Sequence, residues 1–154
     1  MAIEKELLAD LLAAAIRISQ LPGVPIADLP PVIPVTAQTL IEKVCPDQPE
    51  RCRSMAALFD TEAYEIYVRK PLDLRNTITL SFIVHEMVHV LQFKQGGHAR
   101  FEGCPAVLAN ETQAYKVQNI FLNENGSDWR EGFSLRFMTC PPETTGEIKK
   151  DTGQ

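Results

Sequence analysis

The chain has 154 residues, of which 45% are hydrophobic and 23% charged, and its formal net charge is −5. This length suits one domain with a real core, and the composition is ordinary for a globular protein. The acidic balance gives no electrostatic reason to expect nucleic acid or an anionic membrane as a partner. No apolar run reaches the roughly 20 residues that a membrane span needs.

The first part of the chain combines helical and proline-rich stretches. Apolar residues recur at helical spacing over residues 3–20, which predicts an amphipathic helix that ends at a Pro-Gly pair. The stretch LPGVPIADLPPVIPV, 21–35, is predicted to be an extended connector, because each proline fixes φ and removes a hydrogen-bond donor. Thr36 is expected to cap a second helix at about 37–45.

Two short strands are predicted next, SMAALFD at 54–60 and AYEIYVR at 63–69. We expect them to pair as an antiparallel hairpin, with Tyr64 and Tyr67 on opposite faces of the second strand.

The second half of the chain is predicted to be mainly helical. One helix covers about 76–94, with Asp73 or Asn76 as its cap and a double glycine at its end. Another covers about 105–123 and has a proline in its first turn.

The end of the chain is predicted to have little structure of its own. WREGFSLRFM, 129–138, is expected to form a short helix or an extended piece that packs back on the body. The segment after it has almost no apolar content. We therefore predict one domain over residues 1–143 and a flexible tail over 144–154.

The four cysteines favour disulfides over a zinc site, because none of them forms a Cys-x-x-Cys pair. Four cysteines allow three pairings, of which we favour Cys45–Cys52 and Cys104–Cys140. Such bridges imply an oxidising compartment, so the protein is expected to be periplasmic or secreted after removal of a signal peptide. The alternative is four buried free thiols in a cytoplasmic protein.

The segment SFIVHEMVHVLQF, 81–93, places two of the chain's three histidines in an apolar helix. Burying such groups without partners is costly, so a compensating group is required, and a metal ion is the first candidate. His85 and His89 lie one turn apart on one helix face and can hold one ion. Glu86, one step around the helix, can take the proton of a water at that ion.

A third ligand is needed, and Glu111 is the preferred candidate. It lies on the next helix, which a helix–loop–helix turn can bring against the first. His98, just beyond the double glycine, and Glu102, in the following loop, are the alternatives. The alternative to the whole site is a core helix whose two histidines bond to protein acceptors.

The His-Glu-x-x-His motif followed by Asn110, Glu111 and Ala114 resembles the gluzincin branch of zinc metallopeptidases, in the pattern Asn-Glu-x-x-Ala. The resemblance extends from the strand pair to the second long helix. It implies a minimal zincin-like α+β fold, with a small antiparallel sheet packed on the motif helix and on the ligand-bearing helix after it. It implies hydrolysis of a peptide or protein substrate with Glu86 as general base. The implied Zn²⁺ ligands are His85, His89 and Glu111.

The sequence departs from the gluzincin pattern at Tyr115, where many members have an aspartate that supports a ligand histidine. The tyrosine hydroxyl can bond to an imidazole or donate to a substrate oxyanion, and the ring can equally pack in the core. The resemblance also implies that the second strand, 63–69, is a sheet edge beside the metal, where an extended peptide can add to it and Tyr67 would face the cleft. His98 and Tyr67 are the other candidates for stabilising the oxyanion. Metzincins are excluded, because their glycine and third histidine correspond here to Gln92 and Gln95.

Two other functions stay open at this point. A non-catalytic secreted domain, stabilised by its disulfides, could bind a partner protein and hold a structural metal or none. A closed metal shell with a fourth protein ligand would support that reading. A hydrolase acting on a non-peptide amide would use the same attacking group.

Overall fold

The structure is a computed structural model that describes residues 3–142. Within this range the chain is α+β, with four α-helices and a three-stranded sheet, which confirms the predicted class. The helices are α1, Lys5–Ser19; α2, Ala37–Val44; α3, Thr77–Gly96; and α4, Cys104–Glu124. The strands are β1, Val32–Val35; β2, Ala57–Asp60; and β3, Glu65–Arg69. The predicted domain limit at residue 143 and the tail over 144–154 lie outside the described residues.

Helix α3 lies at the centre of the fold, with α1, α4 and β2 packed around it. Residues 83–91 are all buried, which explains why apolar residues occur all round this helix rather than on one stripe. Its cap is Asn76, whose Oδ1 accepts a hydrogen bond from the Ile78 N–H over 2.8 Å. No helix within residues 3–142 is both long and apolar enough to span a bilayer.

The sheet is mixed, which corrects the predicted antiparallel sheet. Its strand order is β1-β3-β2, with β2 antiparallel and β1 parallel to β3. β1 comes from the proline-rich stretch that was predicted to be a connector. The carbonyls of Pro31 and Val35 accept hydrogen bonds from the N–H groups of Ile66 and Lys70. The nitrogen of Pro34 therefore faces away from β3, as an edge strand allows.

The prediction that β3 lies at the sheet edge is wrong, because β1 pairs with its other side and makes β3 the central strand. The edge next to α3 belongs to β2 instead. Arg69 donates its N–H to the Ala56 carbonyl, so alternate residues of β2 bond to β3. Phe59 is one of the residues between them, and its N–H and C=O therefore point to the outer edge.

Both predicted disulfides, Cys45–Cys52 and Cys104–Cys140, are confirmed. The second joins the start of α4 to the segment that follows α4. That segment, residues 125–140, runs back along α4 and contains a short 3-10 turn at Phe133–Phe137; it is called the strap below. The strap packs back on the body as predicted, but its large apolar side chains are more than half exposed: Trp129, Phe133, Phe137 and Met138.

Candidate metal centre

Three side chains from α3 and α4 converge at one point. His85 and His89 lie one turn apart on α3, and Glu111 projects from α4. His85 Nε2 is 3.1 Å from Glu111 Oε1, and His89 Nε2 is 3.1 Å from Glu111 Oε2. One potential ligand atom of each residue lies within 4.8 Å of the others. The structure thus brings together the three residues predicted as ligands.

The approach of α4 to α3 depends on the two other residues of the Asn-Glu-x-x-Ala pattern. Ala114 is fully buried in the core, where a larger side chain would hold α4 away from its neighbours. Asn110 is also buried, and its amide accepts from Arg100 Nε over 3.1 Å and donates to the Arg100 carbonyl over 2.9 Å. These contacts fix the α3–α4 loop and hold Glu111 opposite the histidines.

The donor set fits a divalent metal ion. Among the described residues, His89 Nε2 is the one buried side-chain nitrogen or oxygen without a hydrogen-bond partner, since its contact with Glu111 lies outside hydrogen-bonding geometry. Two imidazoles and a carboxylate are a ligand set of catalytic zinc, and ligand atoms at its bond lengths lie about 3.3 Å apart in a tetrahedron. The two histidine–glutamate contacts of 3.1 Å are close to that spacing.

Electrostatics around the cluster favour one charged pair. Burial lowers the pKa of His89, but Glu111 and Glu86 outweigh that effect and raise the pKa to about 9. Burial raises the pKa of Glu111, but its contacts with the two histidines prevail and hold that pKa well below the usual range. At neutral pH the metal-free cluster is therefore an imidazolium–carboxylate pair. A cation that binds there displaces the His89 proton.

Glu86 lies beside the cluster and lines the same cleft. Its Oε1 accepts a hydrogen bond of 2.8 Å from the main-chain N–H of Phe59 on the outer edge of β2. This bond fixes one carboxylate oxygen and leaves the other available to accept a proton. The Phe59 contact was not predicted, because the donor is a backbone group whose direction depends on strand pairing.

Two buried glutamines contact the histidines, and neither was predicted. His85 Nδ1 lies 2.9 Å from Gln118 Oε1, and His89 Nδ1 lies 2.8 Å from Gln92 Oε1. Both glutamines are fully buried. The available signal was helical spacing: Gln92 follows His89 by three residues and Gln118 follows Glu111 by seven, so each shares a helix face with a ligand.

Tyr115 lines the cleft, with its ring centroid 4.4 Å from that of His85. Burial and nearby carboxylates, with Glu111 foremost, raise the pKa of Tyr115 to about 12, so the hydroxyl stays protonated at neutral pH. The strap closes on this ring at Gly132, where a Cβ would lie 2.4 Å from Tyr115 Cγ. Glu131, the preceding strap residue, consequently joins the lining of the cleft.

His98 does not reach the cluster, which corrects its prediction as an alternative ligand and oxyanion donor. Its exposed ring packs against Phe93, and its Nδ1 lies 3.9 Å from a Glu62 oxygen. The double glycine turns the chain after α3 into a 3-10 turn, His98–Phe101. Phe101 at the end of that turn faces His89 instead, with ring centroids 6.0 Å apart.

Tyr67 and Glu102 also lie away from the cluster. The Tyr67 hydroxyl donates to Glu65 on the same strand, and Lys43 lies over its ring. This position follows from the central place of β3, which keeps its side chains away from the cleft. Glu102 is exposed in the loop before α4.

The cleft around the cluster has a volume of about 730 Å³. Helices α3 and α4 form one wall, and residues 54–61, which include the outer edge of β2, form another. Apolar side chains such as Phe82, Phe101 and Val107 alternate with the polar groups of the cluster. An open cavity with convergent polar groups is the usual form of a ligand site.

Together, the fold and the site define an α+β protein with a buried His–His–Glu cluster of metal-ligand type in an open cleft. Residues 5–133 match the protein family described as a domain of unknown function (DUF6647), and the chain belongs to this family. No curated protein and no solved structure matches the chain.

Proposed function

We propose that the protein is a zinc-dependent metallopeptidase with a minimal, gluzincin-like zincin fold. The observation that supports this is the convergence of His85, His89 and Glu111 in an open cleft, with Glu86 beside them. No fourth His, Cys, Asp or Glu of residues 3–142 joins the cluster, and three protein ligands are typical of catalytic rather than structural zinc. When bound, Zn²⁺ would polarise the scissile carbonyl and acidify the attacking water.

The side chains of the chain itself supply the proton transfers. Glu86 takes the proton of the attacking water as the water adds to the scissile carbonyl, and then passes it to the leaving amine. The Phe59 N–H holds one oxygen of this carboxylate in place during both transfers. Tyr115 is protonated and lines the cleft, so its hydroxyl donates to the developing oxyanion.

The proposed substrate is an extended segment of a peptide or protein. The outer edge of β2 lines the cleft and offers backbone groups with which such a segment can pair. The two disulfides support a periplasmic or secreted location, because bridges of this kind persist in oxidising compartments.

The metal site is tested by elemental analysis of protein incubated with zinc and freed of excess ion. About one zinc per chain is expected for the wild type, and sharply less for Glu111→Ala, which removes one of three ligands. Glu102→Ala is the matched control, because Glu102 is an exposed carboxylate in the loop before the same helix. Absence of zinc from the wild type would overturn the proposal. Loss of zinc from the control would indicate that Glu102 is the third ligand.

Activity is tested with the same proteins on an unstructured protein substrate. Glu86→Gln is expected to keep its zinc and to cleave about 10²- to 10⁴-fold more slowly, because only the proton acceptor is lost. Peptide cleavage that survives this substitution would exclude Glu86 as the base. A zinc-loaded wild type without peptide cleavage would reject the peptidase assignment and leave an amide hydrolase or a binding domain.

A further inference from the structure

We propose that Gln92 and Gln118 are positioning residues that fix both ligand histidines in the tautomer that presents Nε2 to a metal ion. This inference rests on the metal site proposed above, but it does not require that the protein be a peptidase. It concerns the orientation of two buried amide groups, because that orientation determines which nitrogen of each imidazole carries the proton.

The orientation of the Gln92 amide follows from its neighbours. One end lies 3.1 Å from the main-chain carbonyl of Asn110 and 2.9 Å from Gln113 Oε1. A main-chain carbonyl only accepts hydrogen bonds, so the amide nitrogen must occupy that end. The amide oxygen therefore faces His89 Nδ1, 2.8 Å away. Because this oxygen carries no hydrogen, His89 Nδ1 must carry the proton between them.

The same argument applies to Gln118 through a serine. The Ser81 hydroxyl donates its only hydrogen to the Ile78 carbonyl over 2.7 Å, so it accepts at its other contact. That contact, 2.9 Å long, is with one end of the Gln118 amide, which must be the nitrogen. The amide oxygen faces His85 Nδ1 at 2.9 Å, and the proton between them belongs to the imidazole.

Both amides are held in this orientation and both are fully buried. The Gln92 nitrogen contacts a carbonyl that can only accept, and the Gln118 nitrogen contacts a hydroxyl that already donates to the Ile78 carbonyl. A neutral imidazole has one N–H, and a partner that fixes it at Nδ1 leaves the Nε2 lone pair free. On both histidines Nε2 is the atom that faces Glu111. A metal ion that binds here therefore displaces the His89 proton from Nε2, and neither ring has to change its orientation.

The tautomers can be observed directly in the metal-free protein by ¹H–¹⁵N correlation spectra of the imidazole rings. The chain has only three histidines, and the exposed His98 serves as the internal reference for a ring that is free to exchange. We expect both His85 and His89 to carry a proton on Nδ1. A ring without a proton on Nδ1 would overturn the proposal for its glutamine.

Gln118 is the better position for substitution. Gln118→Met keeps the size of the side chain but removes the acceptor, so the His85 tautomer should change while that of His89 does not. Zinc affinity is expected to fall about 10- to 100-fold, the usual effect of removing such a partner. Gln118→Glu is expected to rescue both readouts, since it keeps an acceptor and the Ser81 hydroxyl can rotate to donate to it. The same change at Gln92 would place a carboxylate against two acceptors.

Two further variants keep the test decisive. Gln38→Met, at an exposed glutamine of α2, should change neither the tautomers nor the zinc affinity. If Gln118→Met does not fold, as judged by its thermal transition, Ser81→Ala releases the amide without touching the histidine and should weaken zinc binding in the same direction. Wild-type affinity and tautomers in a folded Gln118→Met protein would overturn the proposal, whatever the outcome of the peptidase assay.

Discussion

The helical wall of the cleft and the strap next to it are constructed differently. On the helical side, α3 and α4 bury the cluster in the core, and nearly every polar group there has a partner. The strap, by contrast, is exposed along most of its length, and its aromatic side chains project outward. One side depends on continuous packing, and the other depends on a few separate attachments.

Three attachments hold the strap. The Asn119 amide donates to the Glu131 carbonyl over 3.0 Å and accepts its N–H over 2.9 Å. Gly132 packs on the Tyr115 ring, and the Cys104–Cys140 bridge secures the far end. All three metal-ligand candidates lie on the helical side. The comparison therefore predicts that the strap can be loosened without loss of the metal site.

The largest expected effect is that of removing the bridge at the end of the strap. Cys104→Ser/Cys140→Ser opens a loop of 36 residues and should lower the free energy of unfolding by about 4 kcal/mol on the chain-entropy model. Cys45→Ser/Cys52→Ser is the control, because its loop of 7 residues should cost only about 2 kcal/mol. Denaturant titration measures both losses. Zinc content is expected to stay at the wild-type level, and its loss on release of the strap would break the comparison.

A smaller effect is expected from pH, and it belongs to the helical side alone. The pKa of His89 rises from 6.5 in the unfolded chain to about 9 in the metal-free fold. Its stabilising contribution is complete below pH 6.5 and disappears as the pH rises through 9. Unfolding titrations should show a loss of about 3 kcal/mol across that window. His89→Gln should remove this dependence of the free energy of unfolding on pH, whereas the strap variant Cys104→Ser/Cys140→Ser should retain it. A changed pH dependence in the strap variant would show that the strap and the helical side are coupled.

The smallest effect is expected at the middle attachment of the strap. Gly132 and Gly126 have nearly equal φ values, +82° and +81°, so alanine at either position incurs the same backbone cost of roughly 1–2 kcal/mol. Only at Gly132 would the new Cβ meet Tyr115, whereas Gly126 has open space around it. Gly132→Ala should therefore be less stable than Gly126→Ala by about 1 kcal/mol, as measured by denaturation. Equal losses would show that the contact with Tyr115 does not hold the strap.

The helical side of the cleft was largely predictable from sequence, because its signals are local. The spacing of His85 and His89 sets their common face, and the Asn-Glu-x-x-Ala pattern indicated Glu111. The Thr36 cap was also correctly predicted, and Asn76 was one of the two caps predicted for α3, since each cap depends on a hydrogen bond within its own first turn.

What could not be predicted depends on pairing between distant segments. β1 forms only because β3 supplies the donors for its carbonyls, and nothing in its proline-rich sequence indicates a strand. The Gln118 contact requires the register of α4 on α3 to within one helical turn. His98 was mispredicted because sequence proximity to α3 does not reveal where a left-handed glycine, Gly97 at φ +67°, sends the chain next.

The hydrogen bond from the Phe59 N–H to Glu86 makes the site sensitive to the length of a surface turn. The turn between β2 and β3 is stabilised by Asp60, whose Oδ1 accepts two main-chain N–H groups, and by Tyr64 at φ +56°. It fixes Phe59 opposite Ile66. One inserted residue would shift that pairing by one, turn the Phe59 N–H inward and leave Glu86 without its donor. The length of this hairpin loop thus determines whether the carboxylate of the proposed general base is held in position.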